Sequence, residues 1–182
     1  MGVLTERLSQ DLRDAMRAGD SVRRDEIRGV VAALRAEQQA RLTRALAKRG
    51  LILQGENQHL TPEQEAEVER IRAGSGLTDE EELAVLLQRV KQHRQSIEGF
   101  ERGARADLVA MEQAQLAVLD AYLPQQAAPE DIDREVLAAI ADSGASGPRD
   151  MARVMQVLSP KLRGRADMKA VSARVQALLA SG

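Results

Sequence analysis

The sequence predicts an all-α protein, and three of its features lead to that prediction. Aromatic residues make up only 1% of the 182 residues, so the core must be aliphatic, which suits the packing of helix on helix. Apolar residues recur every three or four positions along most of the chain. No stretch alternates between apolar and polar residues for long enough to propose a strand. We expect a larger N-terminal helical subdomain and a small C-terminal subdomain of three helices.

Apolar stripes indicate the first two helices. The first helix carries an apolar residue at every fourth position, namely Leu4, Leu8, Leu12 and Met16. Gly19 is a suitable stop for it. A longer helix begins near Ser21 and runs to about Lys48, where Gly50 can end it. Its stripe comprises Ile27, Val30, Val31, Leu34, Leu42 and Leu46.

The segment 50–77 interrupts this rhythm with four glycines and many acidic residues. Within it, Thr61 can cap a short helix, Pro62 suits the first helical position, and Gln64 can bond back to the cap. We interpret the segment as a surface insertion between two long helices, partly helical and mobile.

A clearer capping box, Thr78 to Glu81, begins the next helix. We interpret Glu80, Glu81 and Glu82 as a solvated first turn that matches the helix dipole. The helix continues through Leu83, Leu86, Leu87, Val90, Ile97 and Phe100, and Gly103 can end it. A further helix carries Leu108, Met111, Leu119, Tyr122 and Leu123, and Pro124 ends it.

The hinge 125–129 separates the two predicted subdomains, 1–124 and 125–182. Three short helices are expected in the second subdomain, at about 130–142, 149–158 and 167–180. The residues that separate them are Gly144, Gly147, Pro148, Pro160 and Gly164.

Several classes of site are absent from the sequence. There is no cysteine, hence no disulfide, thiolate nucleophile or cysteine metal ligand. His59 and His93 have no further ligands at short, fixed spacing, so we interpret both as surface or helix-face residues. There is neither a glycine-rich phosphate loop nor a Gly-x-Ser-x-Gly elbow. We therefore predict no catalytic residue, no metal and no cofactor.

No apolar run approaches the roughly 20 residues that a membrane-spanning helix needs. The first residues also lack the apolar stretch of a signal peptide. We expect a cytoplasmic protein without a membrane partner.

Net charge is −2, but basic residues are concentrated near the C-terminus. Residues 149–174 hold seven cations, namely Arg149, Arg153, Lys161, Arg163, Arg165, Lys169 and Arg174. Three of them surround Gly164 in a predicted turn, where glycine permits close approach of a ligand and nearby amides can face an anion. Asp167 can cap the helix that follows. The turn is either an anion site or a solvated basic turn, and the spacing alone leaves both open.

Five parts of the chain form a familiar combination in a fixed order, namely Asp150 to Met155, Pro160 to Asp167, Ala121 to Gln126, Lys91 to Ile97 with Phe100, Gly103, Arg105, Asp107 and Leu108, and the first helices through Ile27 and Arg28. Together they resemble the GatB/YqeY family, and the stand-alone YqeY type in particular. Apart from 50–77, this resemblance covers nearly the whole chain. Ala152 and Met168 stand where the family often has glycine.

The resemblance implies an all-helical fold and an RNA-binding site. In the GatB subunit of the glutamine-dependent tRNA amidotransferase, the related tail domain binds the outer body of tRNA. Carried over to this chain, the matching motif implies central RNA contacts from Lys161, Arg163, Gly164 and Arg165. Arg153 and Lys169 would flank them. The activity label of the family is carbon–nitrogen ligase with glutamine as amido-N-donor. We interpret this label as inherited within the family rather than demonstrated for a stand-alone protein of this type.

The resulting expectation is a non-catalytic, tRNA-binding accessory protein that acts alone or beside an amidotransferase or an aminoacyl-tRNA synthetase. The scarcity of aromatic residues favours folded RNA over single strands, since readers of single strands depend on aromatic stacking. The alternative is a helical protein–protein interaction module that does not bind RNA.

Overall fold

A computed structural model describes residues 2–51 and 60–181, and within these ranges the chain forms eight α-helices, one 3₁₀-helix and no strand. In chain order they are α1 (Val3–Ala18), α2 (Ser21–Lys48), α3 (Pro62–Ala73), α4 (Asp79–Arg102), α5 (Ala106–Asp120), α6 (Pro129–Ser143), the 3₁₀-helix (Pro148–Asp150), α7 (Met151–Leu162) and α8 (Met168–Ser181). The predicted all-α class is confirmed. His59 lies outside the described residues.

The chain divides into two compact units, Met1–Tyr122 and Leu123–Gly182. The N-terminal unit contains α1 to α5, and the C-terminal unit contains the 3₁₀-helix and α6 to α8. None of the helices in the described ranges is long and apolar enough to cross a membrane.

Local capping chemistry begins three of the helices at the predicted places. The Asp20 carboxylate accepts the Arg23 backbone N–H at 2.9 Å at the start of α2. Thr61 and Thr78 each form a complete capping box, with Gln64 and Glu81 as the residues that bond back. These contacts satisfy amide groups that the first turn of a helix leaves without partners.

The core of the N-terminal unit draws on four helices. Leu8, Ile27, Leu86 and Leu119 have no exposed surface, and they belong to α1, α2, α4 and α5 respectively. Burying such a leucine or isoleucine contributes about 1.5–3 kcal/mol relative to leaving it exposed. The aliphatic core that the composition predicts is therefore present.

Two residues of the predicted apolar stripes are exposed. Met16 is 55% exposed and Met111 is 51% exposed, while Ala15 takes the core position at the end of α1. A repeat of four residues advances about 40° around a helix of 3.6 residues per turn, so the stripe of α1 leaves the core after three repeats. The assignment of Met16 to the buried stripe is wrong for this reason.

Helix α3 occupies part of the predicted insertion at 50–77 and packs against α2 within the N-terminal unit. Its Val68 is 5% exposed and contacts Leu42 and Leu46 near the end of α2. The partly helical character of this segment is confirmed, and α3 contributes a small apolar cluster of its own.

Two predicted helix ends are wrong. Helix α5 ends at Asp120 rather than at Pro124, and Pro160 lies inside α7 rather than before a separate turn. A proline removes one hydrogen bond to the residue four positions earlier, and so close to the end of α7 it disturbs only the last turn.

Tyr122 attaches the end of the N-terminal unit to α1. Its hydroxyl donates to the Asp11 carboxylate at 2.7 Å, and the Arg7 guanidinium lies 4.8 Å from the ring centroid. Arg23 pairs with the same carboxylate at 3.3 Å. Burial, and secondly the hydrogen bond to Asp11, raise the pKa of Tyr122 to about 12. Tyr122 therefore holds its proton well above the ordinary range of a phenol.

The C-terminal unit has a separate core made by its three α-helices. Its buried members are Val136, Ala139, Val154, Leu158, Leu162, Val171, Val175 and Leu179. In α7, the buried residues recur every fourth position, which leaves the opposite side of the helix for charged residues.

Candidate nucleic-acid interface

The turn between α7 and α8 has a defined backbone. Gly164 has φ of +77°, in the left-handed region that side chains disfavour, and it is buried. The amides of Arg163, Arg165 and Ala166 donate to carbonyls of the last turn of α7, each at 3.0 Å. These three amides are therefore not available to an anion, and binding by the turn depends on its side chains.

Contacts from the segment before α6 hold the same turn in place. The Gln126 side-chain amide donates to the Gly164 carbonyl at 2.9 Å, and the Ala127 N–H donates to the Arg165 carbonyl at 2.8 Å. Hydrogen bonds thus hold the backbone of the turn at Gly164 and at Arg165, and the neighbouring cationic side chains extend from this fixed backbone.

The predicted cap on α8 is confirmed. The Asp167 carboxylate accepts the Lys169 N–H at 2.9 Å, and the Asp167 carbonyl accepts the Val171 N–H at 2.9 Å. This cap places Lys169, an exposed residue, in the first turn of α8 directly after the basic turn.

The structure brings four of the predicted contact residues to one place. Lys161 lies in the last turn of α7, Arg163 and Arg165 lie on either side of Gly164, and Lys169 follows at the start of α8. Arg153 is eight residues before Lys161 in the same helix, which corresponds to about 12 Å along the axis. Arg153 therefore belongs to the other end of α7.

The predicted cations differ in how much they are already paired. Lys161 is 3.2 Å from the Glu135 carboxylate of α6, and Arg153 is 3.3 Å from Asp150. Within the part of the chain that the structure describes, Arg163, Arg165 and Lys169 make no ion pair. These three exposed cations are the ones free to meet a phosphate without first breaking a contact.

Arg149 is a free cation that the sequence-based site did not include. It is exposed on the 3₁₀-helix before α7 and makes no ion pair with a described residue. Its place in the basic stretch 149–174 was visible in the sequence, but it stands outside the segments that carry the family resemblance.

Few acidic residues of the C-terminal unit lie on this surface: Asp150 and Asp167 flank it, and both are engaged by nearby groups. No aspartate or glutamate occurs between Met151 and Ala166. On α6, by contrast, Glu135 pairs with Lys161, and Asp133 pairs with Arg174 at 2.9 Å. The carboxylates thus neutralise two cations and leave the solvent-facing side of α7 and the turn basic.

The N-terminal unit contains a buried polar network that the sequence did not reveal. Glu26 is 3% exposed and accepts from the Arg89 guanidinium at 2.8 and 2.9 Å. His93 lies between two carboxylates, 3.3 Å from Glu26 and 2.7 Å from Glu112. Of the two alternatives for His93, a surface residue is wrong, because α2 and α5 cover it and place two carboxylates beside it; it lies on the buried face of α4. The network joins α2, α4 and α5.

Glu82 corrects a second prediction. It was expected in a solvated first turn, but it is 3% exposed and accepts from the Thr5 N–H at 3.2 Å and the Thr5 hydroxyl at 2.5 Å. The packing of α1 against α4 buries this one position of the acidic run and supplies it with donors.

An open groove of about 740 Å³ lies between α2 and α4 of the N-terminal unit. Alanines line much of it, namely Ala33, Ala36, Ala40 and Ala84. The Arg41–Glu81 ion pair lies at its edge. Among the described residues, no cluster of three or more histidine, aspartate or glutamate side chains could hold a metal ion.

Fold and surface together define an all-helical protein with a compact C-terminal unit and a basic face on it. The family model for Yqey-like protein matches residues 61–179, which is well over half of the chain. The chain therefore belongs to the YqeY-like family. No curated protein matches the sequence.

The extent of the family match differs from the extent of the predicted resemblance. It includes α3, which the sequence analysis assigned to an insertion, and it does not include α1 or α2, which the analysis counted within the resemblance. All the predicted RNA-contacting residues fall inside the matched range.

Proposed function

We propose that this protein is a non-catalytic, tRNA-binding accessory protein and that RNA docks on the basic turn of its C-terminal unit. The observation that carries the proposal is the group of exposed, unpaired cations Arg163, Arg165 and Lys169 around a turn of fixed backbone. Lys161 adds a fourth cation, and the buried Gly164 fixes the backbone of the turn. A fixed backbone suits phosphate binding, since little backbone freedom is lost when the cations that it carries meet a phosphate.

Composition supports folded RNA as the ligand. Residues 123–182 contain no phenylalanine, tyrosine or tryptophan, so this unit has no ring on which to stack an unpaired base. Recognition of a folded RNA depends instead on shape, phosphates and 2′-hydroxyl groups. The overall charge of −2 means that attraction is local to this surface rather than general.

The two predicted subdomains then have different roles. We propose that residues 125–182 bind tRNA and that residues 1–124 form a helical scaffold, which acts alone or beside an amidotransferase or an aminoacyl-tRNA synthetase in the cytoplasm. The carbon–nitrogen ligase label is not part of the proposal, because the sequence predicts no catalytic residue and the central carboxylate of the buried network, Glu26, is already paired with Arg89 and His93.

Binding of total tRNA across a salt series tests the proposal. Changing Lys161, Arg163 and Arg165 together to alanine should reduce the slope of log affinity against log salt by about two units, at about 0.9 per lost phosphate contact. Lys161 should contribute the least, because Glu135 already pairs with it.

A matched control removes two cations that are already paired. In the wild type, Arg134 pairs with Asp131 and Arg174 pairs with Asp133, both of α6. Changing Arg134 and Arg174 together to alanine should therefore leave the salt slope of tRNA binding nearly unchanged. If wild type does not bind tRNA at low salt, or if the control loses as much as the test variant, the proposal is wrong.

A second candidate function rests on the alanine-lined groove between α2 and α4. Small side chains allow close approach of another helix, so the groove favours a protein-interaction module. Docking there would bury apolar surface and depend on salt far less than phosphate binding does. Absence of tRNA binding, combined with salt-insensitive binding of a helical partner, would favour this function.

A further inference from the structure

Helix α7 carries arginines at both ends of its solvent-facing side. Val154, Leu158 and Leu162 face the core, whereas the exposed residues on the opposite side follow a spacing of three, four and three. These exposed residues are Arg153, Gln156, Pro160 and Arg163. Arg149 precedes this side in the 3₁₀-helix, and Arg165 follows it after Gly164; both are exposed. We call Arg149 with Arg153 the N-terminal pair, and Arg163 with Arg165 the C-terminal pair.

The distance between the two pairs is set by the helix. Arg153 and Arg163 are ten residues apart, which corresponds to about 15 Å along the axis. Gln156 and Pro160 lie between them, and the intervening helix contains no carboxylate. The exposed side of α7 therefore carries positive charge at both ends and none at its centre.

Two rows of phosphates border each groove of a nucleic-acid duplex. The major groove of B-form DNA is about 12 Å wide, and the minor groove of A-form RNA is wide, shallow and open to protein. A span of about 15 Å, extended by flexible arginine side chains, matches such a pair of rows. A single strand offers no second row at a fixed distance, and this unit has no ring to stack on its bases.

We propose, on the basis of the proposed function, that α7 lies across a groove of a base-paired RNA stem. The N-terminal pair contacts the phosphates of one strand, and the C-terminal pair contacts those of the other. Gln156 lies over the groove between them and can both donate to and accept from 2′-hydroxyl groups.

The state of each arginine agrees with this arrangement. Arg149, Arg163 and Arg165 make no ion pair with a described residue. Arg153 contacts the Asp150 carboxylate and the Ser143 carbonyl, both at 3.3 Å, and its side chain is 59% exposed. A pair with one exposed partner at 3.3 Å contributes little to stability, so a phosphate can replace it.

The test compares a 12-base-pair RNA duplex with one of its strands alone, in salt series. Four proteins are measured: wild type, Arg149→Ala with Arg153→Ala, Arg163→Ala with Arg165→Ala, and the control Arg134→Ala with Arg174→Ala. On the duplex, each of the two test variants should reduce the slope by about 1.8 units, at about 0.9 per contact. Between 50 and 200 mM salt, wild type should then lose about tenfold more affinity than either test variant.

On the single strand, removal of the N-terminal pair should change the slope by less than half of that amount. The inference is overturned if the N-terminal variant matches the control on the duplex, or if duplex and single strand bind with equal affinity and slope. Thermal unfolding by far-UV circular dichroism verifies that all four proteins fold.

Total tRNA, measured with the same four proteins, separates the two proposals. If tRNA binding requires the C-terminal pair but not the N-terminal pair, the proposed function stands and the groove-spanning arrangement fails. If neither pair affects tRNA binding, the proposed function itself fails.

Discussion

Replacing Arg89 by alanine should strongly destabilise the N-terminal unit. Arg89 is the principal partner of Glu26, to which it donates two hydrogen bonds, and Glu26 is 3% exposed. Without Arg89, His93 at 3.3 Å is the one polar partner left to the Glu26 carboxylate among the residues that the structure describes. A buried charge that loses its partner costs about 3–5 kcal/mol. Because the Arg89 side chain is 25% exposed and water can replace part of it, we expect about 3 kcal/mol.

The backbone of α2 is adapted to this guanidinium. A Cβ atom on Gly29 would lie 2.8 Å from an Arg89 terminal nitrogen, closer than such atoms approach. Gly29→Ala should therefore displace the Arg89 guanidinium, and this loss opposes the gain of about 1 kcal/mol that alanine brings to a helix interior, so the variant should be far more stable than Arg89→Ala.

The two aromatic residues make the assay specific for this unit. Phe100 and Tyr122 both lie in the N-terminal unit, so near-ultraviolet circular dichroism during urea unfolding reports on it alone. A loss of about 3 kcal/mol corresponds to a fall in melting temperature of roughly 10 °C or more for a unit of this size.

A second variant tests the cause. Adding Glu26→Gln to Arg89→Ala removes the unpaired charge and should recover more than half of the lost stability. The explanation is refuted if Arg89→Ala costs less than about 1 kcal/mol, or if the double variant is no more stable than Arg89→Ala.

Three further predictions follow from the remaining contacts. Gly164→Ala should destabilise the C-terminal unit by about 1–2 kcal/mol in far-UV thermal unfolding and weaken tRNA binding, because φ is +77°. The free energy of unfolding of the N-terminal unit should fall by about 1–2 kcal/mol as pH rises from about 10 to 12, because the pKa of Tyr122 is raised to about 12 in the folded state. Urea unfolding at each pH measures this fall. Glu135→Gln should release Lys161 and steepen the salt slope of tRNA binding by about 0.9.

Each of these predictions has a matched control. Gly147→Ala should have little effect, since Gly147 has extended backbone and open space around it. In the pH series, the folded state retains the phenol proton while the unfolded state loses it, so unfolding becomes easier as pH rises; Tyr122→Phe should abolish that part of the change. Asp142→Asn removes an exposed charge of α6 without a pair and should change the salt slope less than Glu135→Gln. Equal effects in test and control would contradict the respective prediction.

Helix positions could be predicted from local chemistry. The capping boxes at Thr61 and Thr78 and the cap at Asp167 depend on residues within three positions of each other, and all three are present. Gly19 likewise ends α1 in the left-handed conformation. Errors arose at Pro160 and at the end of α5, where packing rather than the local breaker decides the helix end.

Partners distant in the sequence could not be predicted. His93 faces Glu26 and Glu112 from two other helices, and Glu82 receives donors from Thr5. In the basic turn, the sequence grouped the cations but did not show that Glu135 pairs with Lys161 and leaves Arg163 free. Periodicity shows which side of a helix is apolar, but it does not show which neighbour covers an ionisable side chain.

The amino-acid sequence alone thus determines the all-α class, the places where most helices begin and the basic character of the α7–α8 turn, because these depend on composition and on residues near one another in the chain. Only the tertiary structure decides which charges are buried, which are paired and which are free, because those outcomes depend on helix packing and on contacts between residues far apart in the chain, such as Asp11 and Tyr122, which are 111 positions apart. The availability of a cation to a phosphate is a property of this second kind.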